Sequence, residues 1–315
     1  MNNTNPQTIE LSVIIPVSER FDPVSELYYE YKRGVEATGL QYEFIYVVDG
    51  NQPDILDELC KLQKTEKLKI ITLAKRFGES TALSAAFNNM VGTKVLTLSA
   101  YQQIEADEIP KLISSLESND MVLSHRWPRR DSLFNRLQAR IFNFLLRLST
   151  DLKISDAGSN SKAFTQEVIK EIQLYGDLHR FFPVIAHHQG FRITELKVKQ
   201  AAKDTHQRIY APGLYIRRLL DLLTIFFLIK FTKKPLRFFG LIGTSLLSLG
   251  IISSLYVIIE RLFFDVSLAD RPALILSSML IVLGVQVIAI GLIGEIIIFT
   301  HAKDIKEYKI DKIIN

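Results

Sequence analysis

Short apolar runs alternate with amphipathic stretches through the first two hundred residues. Residues 11–17 read LSVIIPV and residues 42–48 read YEFIYVV, each closed by polar or turn-forming residues. Runs this short and this apolar suit strands buried on both faces of a parallel sheet. Further strands are predicted at 68–73, 95–98, 121–124 and 191–198. Between them, residues 23–38 carry Leu27, Tyr31 and Val35 on one side, and 55–64, 80–90 and 109–118 also read as helices. Strands joined by helical crossovers predict an open, mostly parallel α/β sheet with helices on both faces. The later part is less regular. Residues 132–149 read as an amphipathic helix, and a turn-rich segment at 156–164 leads into a helix through Ile172.

The pattern then changes character. Residues 238–259 and 273–294 are each 22 residues without a formal charge. As helices they would each span about 33 Å, enough for a hydrocarbon core of about 30 Å. A hairpin of two transmembrane helices is expected, preceded by a basic interfacial helix at 212–229. Eight Lys or Arg against two acids lie between Lys203 and Arg237, and Lys303, Lys306, Lys309 and Lys312 follow the second stretch. The connection at 260–271 has three acids against two arginines. Positive-inside bias places the large domain and the tail on the cytoplasmic side. The polar start, MNNTNPQTIE, has no signal-peptide pattern, which agrees with that side. The expected organisation is a cytoplasmic domain at 1–208, a juxtamembrane stretch at 209–237, the hairpin at 238–299 and a cytoplasmic tail at 300–315.

Composition adds little beyond this. The net charge is +4, but its basic part gathers before the first span, which favours anionic head groups or phosphates over nucleic acid. A single cysteine, Cys60, leaves neither an internal disulfide nor a multi-cysteine metal site.

In open α/β sheets, ligands lie beyond the carboxyl ends of the strands. Those ends are residues 16–19, 49–51, 74–77 and 99–102. No GxGxxG follows the first strand and no GxxxxGK[ST] occurs, which argues against dinucleotide-binding and P-loop domains. Asp49, before Gly50, suits either a nucleotide contact or a plain Asp-Gly turn. Glu105 and Asp107 suit either helix-start acids or oxygen ligands of a divalent ion. Asp156, among small residues, suits a base, a phosphate-organising acid or a helix cap. His179 and Arg180 suit a pyrophosphate or a helix start, and Arg126, Arg129 and Arg130 a phosphate or a loop surface. Arg208, Arg217 and Arg218 approach the bilayer, where a lipid-linked phosphate would lie.

Taken in order, LSVIIPV, VVDG at 47–50, LAKRFGESTALSAAF at 73–87, DAGSNSKAF at 156–164, YGDLHRFFPVIAHHQGFRITELKV at 175–198 and the two apolar stretches resemble a known family. It is the family 2 glycosyltransferases that load sugars onto dolichyl or undecaprenyl phosphate. The resemblance covers nearly the whole chain. It implies a GT-A fold, a UDP- or GDP-sugar donor, a polyprenyl phosphate acceptor and inversion at the transferred hexosyl or N-acetylhexosaminyl group. It assigns Pro16, Asp49 and Lys75 to the nucleotide, Asp156, His179 and Arg180 to the reaction centre, and Arg208, Arg217 and Arg218 to the acceptor phosphate. The family's first Asp of the DDG turn is Val48 here. Its Asp-x-Asp metal site falls on Ser99-Ala100-Tyr101, so both carboxylates are missing. Either Glu105 or Asp107 would then supply a displaced site for Mg²⁺ or Mn²⁺, or Arg180 and Arg208 would do part of its work, or the enzyme would be weak or inactive. The alternative is a non-catalytic relative that binds a lipid-linked sugar or scaffolds a membrane complex. Membrane lipids are expected partners and a homo-oligomer is compatible with so small a hairpin; nucleic acid is not expected.

Overall fold

The computed structural model describes residues 8–18, 20–128, 152, 154–156, 158–172, 181–204, 220, 235–264 and 272–301. Among them the chain forms two units, one built on a sheet and one on a helical hairpin.

The first unit holds seven strands: β1 Leu11–Val17, β2 Tyr42–Val48, β3 Leu68–Thr72, β4 Lys94–Thr97, β5 Met121–Arg126, β6 Lys162–Thr165 and β7 Ile193–Val198. Their order is β3-β2-β1-β4-β6-β5-β7, and six run parallel while β6 runs against its neighbours β4 and β5. The helices are α1 Val24–Glu36, α2 Pro53–Gln63, α3 Glu79–Phe87, α4 Ile109–Ser114, α5 Gln166–Glu171 and α6 Phe182–His188. The GT-A-like mixed sheet matches the expected class, with one correction. Lys162–Thr165 is a strand, where the sequence suggested the start of a helix. Ala163 and Phe164 are fully buried and Lys162 nearly so, and three consecutive buried residues carry no alternation to distinguish the two.

Alternation along β1 divides the core. Leu11, Val13, Ile15 and Val17 join Leu27, Tyr31 and Val35 of α1, Leu59 of α2 and Leu112 of α4 in one cluster. On the other face, the rings of Phe87, Phe164 and Phe182 lie with centroids 5.1–6.3 Å apart. Burial of this kind, at about 25 cal/mol per Å² of apolar surface, holds the sheet rigid enough to fix the loops at its carboxyl edge.

The second unit is α7 Pro235–Phe264 and α8 Pro272–His301, both long and apolar enough to cross a membrane. Each extends past the uncharged stretch read from sequence. Their seam is made of glycines: a Cβ on Gly243 would stand 2.8 Å from the Gly284 carbonyl, and one on Gly284 would stand 2.7 Å from the Leu247 nitrogen. Such backbone approach is how helices associate in lipid, which supplies no hydrophobic drive between them. Outward side chains such as Leu241, Ile252, Ile275 and Phe299 are exposed.

Candidate functional site

The site starts from a proline. Leu98 donates its N–H to the Ile14 carbonyl and Asp49 donates to the Val17 carbonyl, so even-numbered residues of β1 face β4 and odd ones face β2. Pro16 therefore faces β4 without an N–H to offer, and the β1–β4 ladder ends at Ile14–Thr97 while β1–β2 continues to Val17–Val48. β1 has β2 on one side and β4 on the other, so the opening is the switch point where ligands of such sheets bind.

Two loops line this opening and are tied together. Asp22 donates its N–H to the Ala100 carbonyl at 2.8 Å, and its carboxylate accepts the Gln102 N–H at 2.9 Å. The Tyr31 hydroxyl, buried in the core, donates to the carbonyls of Ser99 and Tyr101. Burial keeps that hydroxyl well above the usual phenol range, so it remains a donor. On this frame the Arg20 guanidinium lies over the Tyr101 ring, 3.7 Å from its centroid, and Nη1 donates to Asp204 Oδ1 at 3.3 Å. The Tyr101 hydroxyl accepts from Gln103 Nε2 at 2.6 Å.

Arg126, at the end of β5, joins the neighbouring segments. Its Nε and Nη2 meet both oxygens of Asp156, at 2.8 and 3.0 Å, and its Nη1 reaches Asp204 Oδ2 at 3.1 Å. Burial alone would favour losing the charge, but Asp156 and Asp204 outweigh it and push the guanidinium above its ordinary value. Gln200 Nε2 completes the cradle of Asp204 Oδ2 at 2.9 Å. Glu195 on β7 accepts the N–H groups of Ser155 and Asp156, each at 2.9 Å, and so sets the backbone that presents Asp156. Gln103 Oε1 accepts the Asn160 N–H, tying the β4 loop to the segment before β6.

The expected site residues sort unevenly. Asp156 is buried and faces Arg126. It caps no helix at Lys162, because that residue opens β6. Asp49 is also buried, and its two oxygens accept the N–H groups of Phe77 and Gly78 at 2.8 and 2.9 Å. It thereby clamps the loop carrying Lys75, which is exposed with Nζ 5.2 Å from the Phe77 ring centroid. Gly50, at φ 89°, admits this clamp, since a Cβ there would come within 2.7 Å of Arg76 Cγ. His179, Arg180, Arg208, Arg217 and Arg218 lie outside the described residues. The sequence did not single out Arg20, Asp204, Glu195 or Gln200, marked Tyr101 only as the place of a missing acid, and left Arg126 between a phosphate contact and a loop surface.

The donor set does not fit a divalent ion at the loops described. Positions 99 and 101 offer a hydroxyl and a phenol, and Ser99 Oγ is buried with no hydrogen-bond partner among the described residues. Glu105 and Asp107, expected at a displaced metal site, have other partners in the structure. Glu105 accepts the Ala202 N–H at 3.3 Å, whereas the Asp107 carboxylate is 81% exposed and pairs with Arg33. The turn carrying Asp107 rests on Gly34, ten residues and about 15 Å along α1 from its start at the carboxyl edge. Among the described residues no group of three or more His, Cys, Asp or Glu could hold a metal.

Residues 12–173 match Glycosyl transferase family 2, and the protein belongs to that family. Within it, the chain is related to polyprenyl-phosphate sugar transferases. It is 30% identical over 292 residues to the undecaprenyl-phosphate 4-deoxy-4-formamido-L-arabinose transferase of Edwardsiella ictaluri (strain 93-146), covering 91% of this chain and 88% of that one. It is 28% identical over 309 residues to the dodecaprenyl-phosphate galacturonate synthase of Rhizobium johnstonii (strain DSM 114642 / LMG 32736 / 3841), covering 96% and 91%. Its fold is shared with glucosyl-3-phosphoglycerate synthase from Mycobacterium tuberculosis, solved with Mg²⁺ and uridine-diphosphate, at a TM-score of 0.52 and 15% identity over 68% of this chain and 79% of that one.

Proposed function

We propose that the protein transfers a hexosyl or N-acetylhexosaminyl group from a UDP- or GDP-sugar to a polyprenyl phosphate at the cytoplasmic face of a membrane, with inversion. The observation that carries this reading is coverage. Relatives named for transfer to prenyl phosphates match over 91% and 96% of the chain, well beyond the 12–173 region shared with the whole family.

The chemistry asks little of a base. An acceptor phosphate is already ionised at neutral pH, so one of its oxygens attacks the anomeric carbon. The bond from that carbon to the donor's β-phosphate oxygen breaks, and the nucleoside diphosphate leaves with the electron pair. Attack opposite the leaving group inverts the centre. What the protein must supply is position and compensation of charge on the leaving group. The nucleotide lies over Pro16 and the loop that Asp49 clamps, within reach of Lys75. Asp156, held by Arg126, shapes the reaction centre together with His179 and Arg180, while Arg208, Arg217 and Arg218 receive the lipid phosphate at the interface. The domain arrangement is the one read from sequence, with residues 1–208 and the tail at 300–315 on the cytoplasmic side.

The replaced acidic pair at Ser99 and Tyr101 favours a second reading, a non-catalytic relative that holds a lipid-linked sugar or scaffolds a membrane complex. One assay separates the two. The purified full-length protein is incubated with radiolabelled UDP- and GDP-sugars and undecaprenyl phosphate, and label is followed into the organic phase. Transfer from one donor, with the anomeric configuration reversed by NMR, supports the enzyme. No transfer from any donor, with nucleotide binding intact, supports the second reading.

A further inference from the structure

We infer that Arg20, mounted on the Tyr101 ring, is the cation that meets the donor's diphosphate, in the place where a divalent ion would otherwise be held. The inference rests on the glycosyl-transfer reading and assigns the nucleotide subsite of that same site. Its geometry is already fixed before any ligand arrives. Arg20 and Tyr101 follow β1 and β4, the two strands that part at the switch point. Their loops are joined at both ends through Asp22, and Tyr31 pins the β4 loop from the core. The guanidinium lies 3.7 Å from the ring centroid, a distance at which the electron-rich face stabilises the cation.

The replacement of an acid by tyrosine has a direct electrostatic meaning. A carboxylate at position 101 would pair with Arg20 and cancel its charge. A tyrosine supports the same cation by its ring face, which leaves the in-plane N–H groups of the fork for an acceptor. Among the described residues, the hydrogen-bond partner of that fork is Asp204, through one N–H at 3.3 Å. Asp204 itself is shared with Arg126 and Gln200, both closer to it. Arg20 is thus oriented by a long contact that a doubly charged diphosphate can outcompete. Its side chain is 23% exposed while Arg126 is 7% exposed, so of these two arginines Arg20 is the one open to a ligand. A planar fork gives two parallel N–H bonds to phosphoryl oxygens, the geometry that suits a pyrophosphate.

The test uses full-length protein in detergent, stripped with EDTA, with UDP, GDP, uridine and guanosine as calorimetric probes. One diphosphate is expected to bind in EDTA, with Mn²⁺ changing its affinity by less than about threefold. Arg20→Ala is expected to weaken that diphosphate by about tenfold or more, as loss of a charge-assisted contact does. The parent nucleoside should bind both proteins alike, and the melting temperature should hold, which separates a lost contact from a lost fold. Arg20→Lys, keeping charge without the fork, should fall between. Diphosphate binding that requires Mn²⁺ and is indifferent to Arg20→Ala overturns the inference and leaves the transferase reading standing. Absence of any diphosphate binding, with or without Mn²⁺, removes the transferase reading and the inference with it.

Discussion

Arg126 and Asp156 meet side by side, Nε to Oδ2 at 2.8 Å and Nη2 to Oδ1 at 3.0 Å, with their side chains 7% and 1% exposed. The pair links the end of β5 to the segment before β6, and through Nη1 to Asp204 beyond β7. Removing the cation would take from the buried Asp156 carboxylate its two-point charge partner and leave Asp204 to Arg20 and Gln200. Arg126→Ala is therefore expected to cost about 3–5 kcal/mol of stability, and Arg126→Lys less, because charge remains while the fork is lost. Thermal melting in detergent measures both, and an unchanged melting point for Arg126→Ala would contradict the buried network. The guanidinium pKa is raised in the folded state, so its contribution is fully present below the unfolded value and lost only in strong alkali. No loss from this side is expected across neutral pH.

Asp49 gives a second prediction, because its contacts are to backbone. Both oxygens accept N–H groups of the loop that ends at Gly78. Asp49→Ala is expected to destabilise the protein by about 1–3 kcal/mol and to loosen that loop. Hydrogen exchange should show faster amides at Phe77 and Gly78. Asp49→Asn, which keeps one acceptor oxygen, should show a smaller effect on the same amides. Equal protection in wild type and Asp49→Ala would exclude the clamp.

An acid-side prediction comes from the edge of the sheet unit. Glu66 accepts from Lys32 at 2.7 Å and from the Tyr28 hydroxyl at 3.0 Å. The Lys32 hydrogen bond leads in holding the Glu66 carboxyl below its usual value, with Tyr28 assisting against the effect of burial. A depressed carboxylate pKa contributes stability that is present above the unfolded value and disappears as pH falls through the folded one. Wild type should therefore melt higher than Glu66→Gln at about pH 7, with the gap closing below about pH 4. A gap that persists at the acid end would rule out the ion pair as its source.

In the hairpin, the seam leaves no room for a side chain at Gly284. A Cβ there would lie 2.7 Å from the Leu247 nitrogen and 2.8 Å from the Gly243 carbonyl, both backbone atoms that cannot swing aside. Gly284→Leu is expected to push α7 and α8 apart. Disulfide cross-linking between cysteines introduced at Leu247 and Leu283 should fall in that variant. Cross-linking at the wild-type level would show that the helices do not rely on this approach.

The sheet was readable because its strands are continuous apolar runs: Leu11–Val17 and Tyr42–Val48 fall at the bounds that hydropathy gives. β6 escaped because three consecutive buried residues have no period, and Lys162, one of them, looked like a helix start. The site was less legible for a different reason. Its partners are set by sheet order, which brings Arg20, Arg126, Asp156 and Asp204 together across separations of 30 to 184 residues. No local pattern announces such a cluster. Motif likeness found the positions of the missing acids at Ser99 and Tyr101. For the charge those acids would have placed, the sequence offered Glu105, Asp107, Arg180 and Arg208, whereas among the described residues the cation stacked on Tyr101 is Arg20, on the loop after β1.

Orientation in the membrane is open to one simple measurement, because the chain has a single cysteine. Cys60 lies on α2 of the sheet unit and is exposed. In the proposed topology, both flanks of the hairpin, with the basic residues from Lys203 to Arg237 and the lysines after residue 302, lie on the side that positive charge favours. Cys60 should then resist a membrane-impermeant maleimide in intact spheroplasts of the expression host and react in inverted vesicles or after permeabilisation. The exposed thiol makes the negative result informative, since burial cannot explain it. A cysteine introduced at Ser267, in the connection between the helices, should show the opposite pattern in a Cys60→Ser background. Labelling of both positions from the same side would mean that the hairpin does not cross the bilayer. Labelling of Cys60 in intact spheroplasts, with position 267 protected, would place the sheet unit on the outer face and remove its access to cytoplasmic nucleotide sugars.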